Sequence, residues 1–201
     1  MKQTLHVTEK PEWITYEDIY RLVYRAHEEN RKNGIYANEQ ITSGADLLRE
    51  LEEIGAETVT FVAMDRETPV GTVTVCLQQG QGAYTKGKNI ACLRYVGVLP
   101  EHAGKGAGGK LLTAAEDYAR GKGAVSMEAV VLEANPAYAY YRKRGYLPVK
   151  YTANKRKQTY SVHILKWLAK KSRPDWYILL KFRKHRAQKR KRFGFQDGAA
   201  S

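Results

Sequence analysis

The sequence predicts a mixed α/β domain in which a mostly antiparallel sheet is flanked by helices, followed by a basic C-terminal extension. Three features indicate this. The chain has 201 residues, of which 43% are apolar and 27% charged, enough for one hydrophobic core. The spacing of apolar residues changes from a helical to a strand period after residue 55. Residues 1–149 carry 18 Lys and Arg against 19 Asp and Glu, whereas residues 150–201 carry 16 against 2.

Two amphipathic helices are predicted near the N-terminus. Thr15 and Asp18 have the spacing of a capping box at the start of a helix within 14–32. Ser43 and Asp46 repeat this spacing before a second helix, which ends at Gly55.

The middle of the chain alternates strands and helices. Two segments rich in β-branched residues flank a turn that contains Pro69, which predicts an antiparallel hairpin. Asn135 followed by Pro136 is typical of a helix N-cap and first helical position. The predicted elements are the hairpin strands 58–64 and 70–77, a strand 90–98, a helix that contains 111–119, a strand 126–133 and a helix 135–144.

A glycine-rich loop, residues 101–109, separates the third strand from the following helix. Four of its residues are glycines, which let a backbone approach a ligand closely. The helix N-terminus then supplies unpaired amides and a positive dipole end, so the loop is a candidate anion site. A flexible connection is the alternative, but it requires neither four glycines nor an adjacent helix start.

The residue patterns of two nucleotide-binding motifs occur in this loop, but the surrounding sequence does not meet the other requirements of either motif. Gly104, Gly106 and Gly109 satisfy the dinucleotide fingerprint, which belongs directly after the first strand of a βαβ unit, whereas here an antiparallel hairpin comes first. Gly104 to Lys110 also spells most of a P-loop, but Leu111 stands where that motif needs a hydroxyl for magnesium.

A third pattern fits both the loop and its surroundings. From Val98 onward the sequence reads V-x-P-x-x-x-G-x-G-x-G after a hairpin and a strand, and the segment NPAYAYYRKRGY (135–146) follows one strand later. Together these motifs, across roughly residues 14–151, resemble the GNAT (GCN5-related N-acetyltransferase) superfamily. The resemblance implies a sheet with splayed central strands, acetyl-CoA as cosubstrate and no metal.

The resemblance also implies roles for individual residues. Val98 and Gly97 would offer backbone groups to the pantetheine arm of CoA, and Asn135 would contact the same arm. Tyr141 matches the family tyrosine that protonates the leaving thiolate. The pyrophosphate would be cradled by the backbone of Ala103, Gly104, Lys105, Gly106, Ala107 and Gly108.

The sequence departs from the family pattern at several positions. Ala103 replaces the usual Arg or Gln, and Asn135 lies one residue nearer to Tyr141 than is usual. Cys92 stands where the family often has a catalytic glutamate. Glu133 is the first predicted substitute for that base; Glu128, His102 and a water-relayed proton are further alternatives.

The sequence divides into a core at 1–151, a C-terminal completion of the sheet at 152–182 and a basic tail at 183–201. Ile164, Leu165 and Leu168 have helical spacing within 161–171, which predicts an extra helix, and 175–182 is a candidate strand. Lys181 to Arg192 contains eight Lys or Arg and His185, a pattern that indicates RNA, the ribosome or another polyanion as a partner, with a solvated tail as the alternative.

The sequence predicts two alternative functions. The first is an N-acetyltransferase that moves an acetyl group from acetyl-CoA to an amine acceptor by direct attack in a ternary complex. The second is a nucleic-acid- or ribosome-binding protein that uses the same body as a scaffold. With two cysteines, no apolar leader and no long apolar run, we expect a cytoplasmic protein without a membrane span. A homodimer is a further prediction.

Overall fold

The structure, a computed structural model, describes residues 5–36, 38–54, 57–78, 89–154 and 159–168. It contains seven strands in one sheet, with helices on both faces. The elements are β1 (Leu5–Glu9), α1 (Tyr16–Ala26), α2 (Glu28–Lys32), α3 (Gly44–Glu53), β2 (Glu57–Asp65), β3 (Thr68–Gln78), β4 (Ile90–Val98), a 3₁₀ turn (Pro100–His102), α4 (Ala107–Gly121), β5 (Ser126–Leu132), α5 (Pro136–Lys143), β6 (Leu147–Asn154) and β7 (Thr159–Trp167).

The strands lie in the order β1-β2-β3-β4-β5-β7-β6. Every neighbouring pair is antiparallel except β4 and β5, which run parallel. The predicted fold class, a mixed and mostly antiparallel sheet flanked by helices, is confirmed.

Strands β4 and β5 pair along only part of their length. The paired residues are Ile90 with Ser126, Ala91 with Met127, and Cys92 with Glu128. Beyond this last pair, the two strands continue without pairing to each other. The splayed central strands implied by the family resemblance are therefore present, and the sheet is divided into two halves at their C-terminal ends.

Two hydrophobic cores cover the two faces of the sheet. The core under α4 takes residues from both halves, including Val73 and Leu93 on one side and Met127 and Ile164 on the other. The core under α1 and α3 takes residues from β2, β3 and β4, with Ile19 and Leu47 from the helices. The α4 core therefore holds the halves together across the separation.

Side-chain caps begin the two N-terminal helices. Thr15 and Asp18 form the complete capping box that the sequence predicts for α1. At α3, Ser43 accepts a hydrogen bond from the Asp46 amide, but the Asp46 carboxylate accepts from Thr42 instead of from Ser43. The second box is therefore only half formed.

The C-terminal part of the sheet differs from the sequence prediction. The helical interpretation of 161–171 is wrong up to Trp167, because β7 (Thr159–Trp167) pairs with both β5 and β6. Strand β1 was not predicted. The division placed at residue 151 falls inside β6. The predicted strand at 175–182 and the basic tail lie outside the described residues.

Nowhere in the described ranges is there a helix of the length and apolarity needed to cross a bilayer.

The packing of α3 against α1 should be sensitive to one methyl group. A Cβ at Gly44 would lie 2.4 Å from the Glu17 backbone nitrogen, a contact that requires the two helices to shift. We expect Gly44→Ala to lower the free energy of unfolding by about 1–3 kcal/mol, measured by chemical denaturation.

Gly121→Ala is the matched control, because nothing lies within 4 Å of a Cβ at that helical position. Helix propensity predicts that this control is neutral or stabilising by up to about 1 kcal/mol. Equal stability of both variants would contradict the close packing of α1 and α3.

Candidate active site

A cleft of about 370 Å³ lies where β4 and β5 separate. Its wall is formed by residues from α1 and its junction with α2, the loop between α2 and α3, the strands β3, β4, β5 and β7, and α5. The wall combines apolar side chains with a small number of polar groups, as in most small-molecule sites. The groups with ionisable or hydrogen-bonding side chains include His27, Tyr36, Cys92, Arg94, Tyr95, Glu128, Asn135, Tyr141 and His163.

Strand β4 is irregular along the cleft. Its register with β3 shifts between Thr72 and Thr74, and Tyr95 has a positive φ of 48°. After this bulge, the Leu99 amide donates to the Val70 carbonyl on β3 at 2.9 Å. Because successive amides of a strand point to opposite edges, the Val98 amide is directed towards the side on which β5 has separated.

His27 supports this part of β4 from the junction of α1 and α2. Its Nε2 lies 2.8 Å from the Val96 carbonyl oxygen, and its Nδ1 lies 3.0 Å from the Asn30 side-chain nitrogen. Nε2 therefore donates to the carbonyl, and Nδ1 accepts from the amide. Burial lowers the pKa of His27, so the neutral ring needed for this arrangement is favoured. Sequence reasoning missed His27, because no local motif marks it.

The glycine-rich loop leads from β4 into α4. Gly104 and Gly106 have φ values of 74° and 90°, and Gly106 is the N-cap residue. The Ala103 amide donates to the Pro100 carbonyl within the loop, and the Lys105 amide lies 3.4 Å from the His102 carbonyl oxygen. The amides from Ala107 to Gly109 form the first turn of α4, so they have no acceptor within the helix. The first turn of α4 is therefore a candidate anion site.

The remaining predicted cofactor residues occupy different places. Gly97 packs under α1, since a Cβ there would lie 3.0 Å from the Ala26 Cβ. Asn135 lines the cleft and caps α5 by accepting from the Ala137 amide at 2.9 Å. Lys105 is exposed, and the Lys110 ammonium donates to the Leu5 carbonyl at 2.7 Å.

Tyr141 lines the cleft from α5. Its ring packs edge-on against Tyr146, with ring centroids 5.3 Å apart, and the residue is 6% exposed. Burial raises the pKa of the Tyr141 hydroxyl above its ordinary value. The hydroxyl is therefore protonated at neutral pH and is able to donate.

Glu128 and Cys92 lie side by side at the last paired position of β4 and β5, and both line the cleft. Glu128 Oε1 is buried and has no hydrogen-bond partner among the described residues. Burial raises the pKa of Glu128 to about 7. Burial raises the pKa of Cys92 to about 12, so its thiol stays protonated. Glu128 is thus able to exchange a proton near neutral pH, and Cys92 is not.

The other base candidates lie outside the cleft lining. Glu133 follows the end of β5, and its backbone amide donates to the Tyr160 carbonyl at 2.8 Å. His102 approaches Asp65, with Nδ1 and Oδ2 3.7 Å apart. Neither is among the residues that line the cleft, whereas Glu128 is. In the described part of the chain, no three His, Cys, Asp or Glu side chains are placed to hold a metal ion.

A family model and several solved structures are similar to this chain. The model of the Acetyltransferase (GNAT) family matches residues 16–146. The chain belongs to this family. The resemblance predicted from the two sequence motifs is confirmed, and GNAT membership establishes acyl transfer as the general class of reaction. A search of curated proteins finds no significant match.

Solved structures of other proteins show the same fold at low sequence identity. PaiA N-acetyltransferase from Thermoplasma acidophilum, in complex with coenzyme A, is 20% identical, with a TM-score of 0.57 over 82% of this chain and 99% of that one. Arabidopsis thaliana NAA60 with a bisubstrate analogue is 16% identical, with a TM-score of 0.57 over 81% and 98%. An acetyltransferase from Streptococcus agalactiae is 16% identical, with a TM-score of 0.60 over 82% and 99%.

The raised pKa of Glu128 predicts a pH-dependent stability. The folded protein favours the neutral carboxyl between the ordinary value of 4.5 and about 7, so its free energy of unfolding falls as the pH rises through that interval. Because Gln does not titrate, Glu128→Gln should gain stability relative to the natural protein between about pH 5 and about pH 8. Thermal unfolding at several pH values measures this difference, and a difference that is constant with pH would contradict it.

Proposed function

We propose that the protein is an N-acetyltransferase that moves an acetyl group from acetyl-CoA to an amine acceptor by direct attack in a ternary complex. The observation that carries the proposal is the early end of β4–β5 pairing, which opens a cleft with Glu128 and Tyr141 in its wall. Family membership and the fold shared with a CoA-bound structure support it.

The residues of the cleft and loop fit CoA. The unpaired edge of β4 beyond Cys92 offers backbone groups to the pantetheine arm, and Asn135 lies on the opposite wall. The open glycine loop and the first turn of α4 would hold the pyrophosphate through backbone amides. Bound acetyl-CoA supplies the activated acyl group as a thioester. The Val98 amide, directed towards the side on which β5 has separated, would donate a hydrogen bond to the acyl oxygen.

Two side chains would move the protons. An amine acceptor must lose a proton in order to attack, and the Glu128 carboxylate would accept it, because a base with a pKa near 7 is half ionised at neutral pH. Tyr141 would donate a proton to the departing sulfur, since burial keeps its hydroxyl protonated. We favour Glu128 over Glu133, which the sequence ranked first, because only Glu128 lines the cleft. Glu133, His102 and a water relay stay predictions.

The remaining predictions concern partners and location. A nucleic-acid-binding protein, the alternative function, depends on Lys181 to Arg192, which lie outside the described residues. Contact with RNA, the ribosome or another polyanion, a homodimer and a cytoplasmic location stay predictions, and so does the identity of the amine acceptor.

Binding of CoA should stabilise the protein. At about one hundred times its Kd, CoA adds about 2.7 kcal/mol to the free energy of unfolding. For a chain of this size, Tm should rise by about 5–10 °C. Differential scanning fluorimetry with CoA and acetyl-CoA measures the shift.

Gly106→Glu is the matched variant for this experiment. It places a carboxylate at an N-cap with a φ of 90°, where it repels a phosphate and strains the backbone. We expect CoA to leave the Tm of this variant unchanged, while the variant still unfolds cooperatively without ligand. A natural protein that shows no shift with either compound would argue against the transferase.

Substitutions in the cleft should separate the base candidates. Glu128→Gln should lower kcat by about 10²–10⁴-fold, and the rise of kcat/KM with pH towards about 7 should vanish with it. Tyr141→Phe should lower kcat with little change in acetyl-CoA affinity. Mass spectrometry of an amine panel first identifies an acceptor, and steady-state kinetics then compare the variants.

Glu133→Gln is the control in that series. If Glu128→Gln keeps the kcat of the natural protein and Glu133→Gln lowers it, the base is Glu133 instead of Glu128.

A further inference from the structure

Two polar side chains, one from α5 and one from its C-cap residue, border the first turn of α4. The Tyr140 hydroxyl lies 3.4 Å from the position that a Cβ on Gly108 would occupy, and Arg144 Nη1 lies 3.8 Å from the corresponding position on Gly109. Tyr140 and Arg144 are one helical turn apart, so both face α4. Because Gly108 and Gly109 have no side chains, nothing of their own separates these polar groups from the amides of that turn.

Arg144 is held in place at its outer end. Its Nη2 donates to the Thr113 hydroxyl at 3.1 Å and lies 3.9 Å from the Glu116 carboxylate. Its Nε is buried and has no hydrogen-bond partner among the described residues. The Nη1 end of the same guanidinium lies beside Gly109, so a fixed cation with planar donors borders the backbone amides of the first turn, an arrangement suited to an oxyanion.

The charges around Arg144 leave it only partly neutralised. The buried Glu116 carboxylate is 2.7 Å from the Lys166 ammonium, 3.5 Å from the Arg120 guanidinium and 3.2 Å from the Tyr146 hydroxyl. Three cations, Lys166, Arg120 and Arg144, therefore share this carboxylate, and Arg144 is the most distant of them. Arg120 is also paired with Asp117, so three cations face two carboxylates. The surplus of positive charge favours an anion on the α5 side of α4.

We propose that Arg144, with the Tyr140 hydroxyl beside it, binds a phosphate group of CoA at the first turn of α4. The inference rests on the proposed function, which supplies the ligand. It explains how the protein compensates for Ala103, where the family usually has a side chain that contacts phosphate. Arg144 donates from the opposite side of the same turn, from α5 instead of from the loop.

The test is CoA binding measured by isothermal titration calorimetry, independent of any acceptor. The natural protein, Arg144→Gln, Arg144→Lys and Tyr140→Phe are titrated with CoA and with 3′-dephospho-CoA. Arg49→Gln is the matched control, because it removes the same charge from an exposed position on α3, which packs on the other face of the sheet. Circular dichroism and Tm without ligand verify that each variant is folded.

We expect Arg144→Gln to weaken CoA binding by about tenfold or more, the usual effect of losing a charged hydrogen bond, with Arg144→Lys in between and Arg49→Gln unchanged. A loss confined to CoA assigns Arg144 to the 3′-phosphate, and an equal loss with both ligands assigns it to the pyrophosphate. If folded Arg144→Gln binds CoA within about twofold of the natural protein, the inference is wrong. If the natural protein binds neither ligand, the proposed function fails as well.

Discussion

The site depends on where the hydrogen bonds between β4 and β5 end. Pairing stops at Cys92 and Glu128, and beyond that point each strand has one edge without a partner strand. Unpaired backbone groups at a sheet edge are costly unless water or a ligand satisfies them. The same separation that leaves these groups available also leaves Glu128 Oε1 buried and unpartnered, so the backbone and the carboxyl both favour a polar ligand in the cleft.

The separation is sustained by packing on one face of the sheet. The core under α4 includes Leu93 from one half and Ala129 and Val131 from the other, so that helix joins the halves although their strands part. On the opposite face, Val130 lines the cleft and remains 57% exposed. Helix α4 therefore closes one core with its body, while the amides of its first turn have no acceptor within the helix.

The sequence was informative where structure depends on neighbouring residues. The capping box of Thr15 and Asp18, strand β4 and the glycine-rich loop before α4 are all local patterns, and the structure contains each of them. It was misleading at β7, where the adjacent residues Ile164 and Leu165 are both buried although successive side chains of a strand point to opposite faces of the sheet. Burial on both faces removes the alternation that marks a strand and imitates helical spacing. In strand β1, Leu5 and Val7 alternate with polar residues, a pattern too short to predict a strand by itself, and the pairing with β2 places both side chains against the core.

By itself, the sequence determined the family, the order of most elements and the loop that would hold a phosphate, because glycines, caps and apolar periods act over a few residues. Only the tertiary structure decided which carboxyl faces the cleft. Glu128 and Glu133 are five positions apart on or beside one strand, and the choice between them depends on where β4 leaves β5. It also brought Arg144 beside Gly109, since the packing of α5 against α4 joins residues that are far apart in the chain.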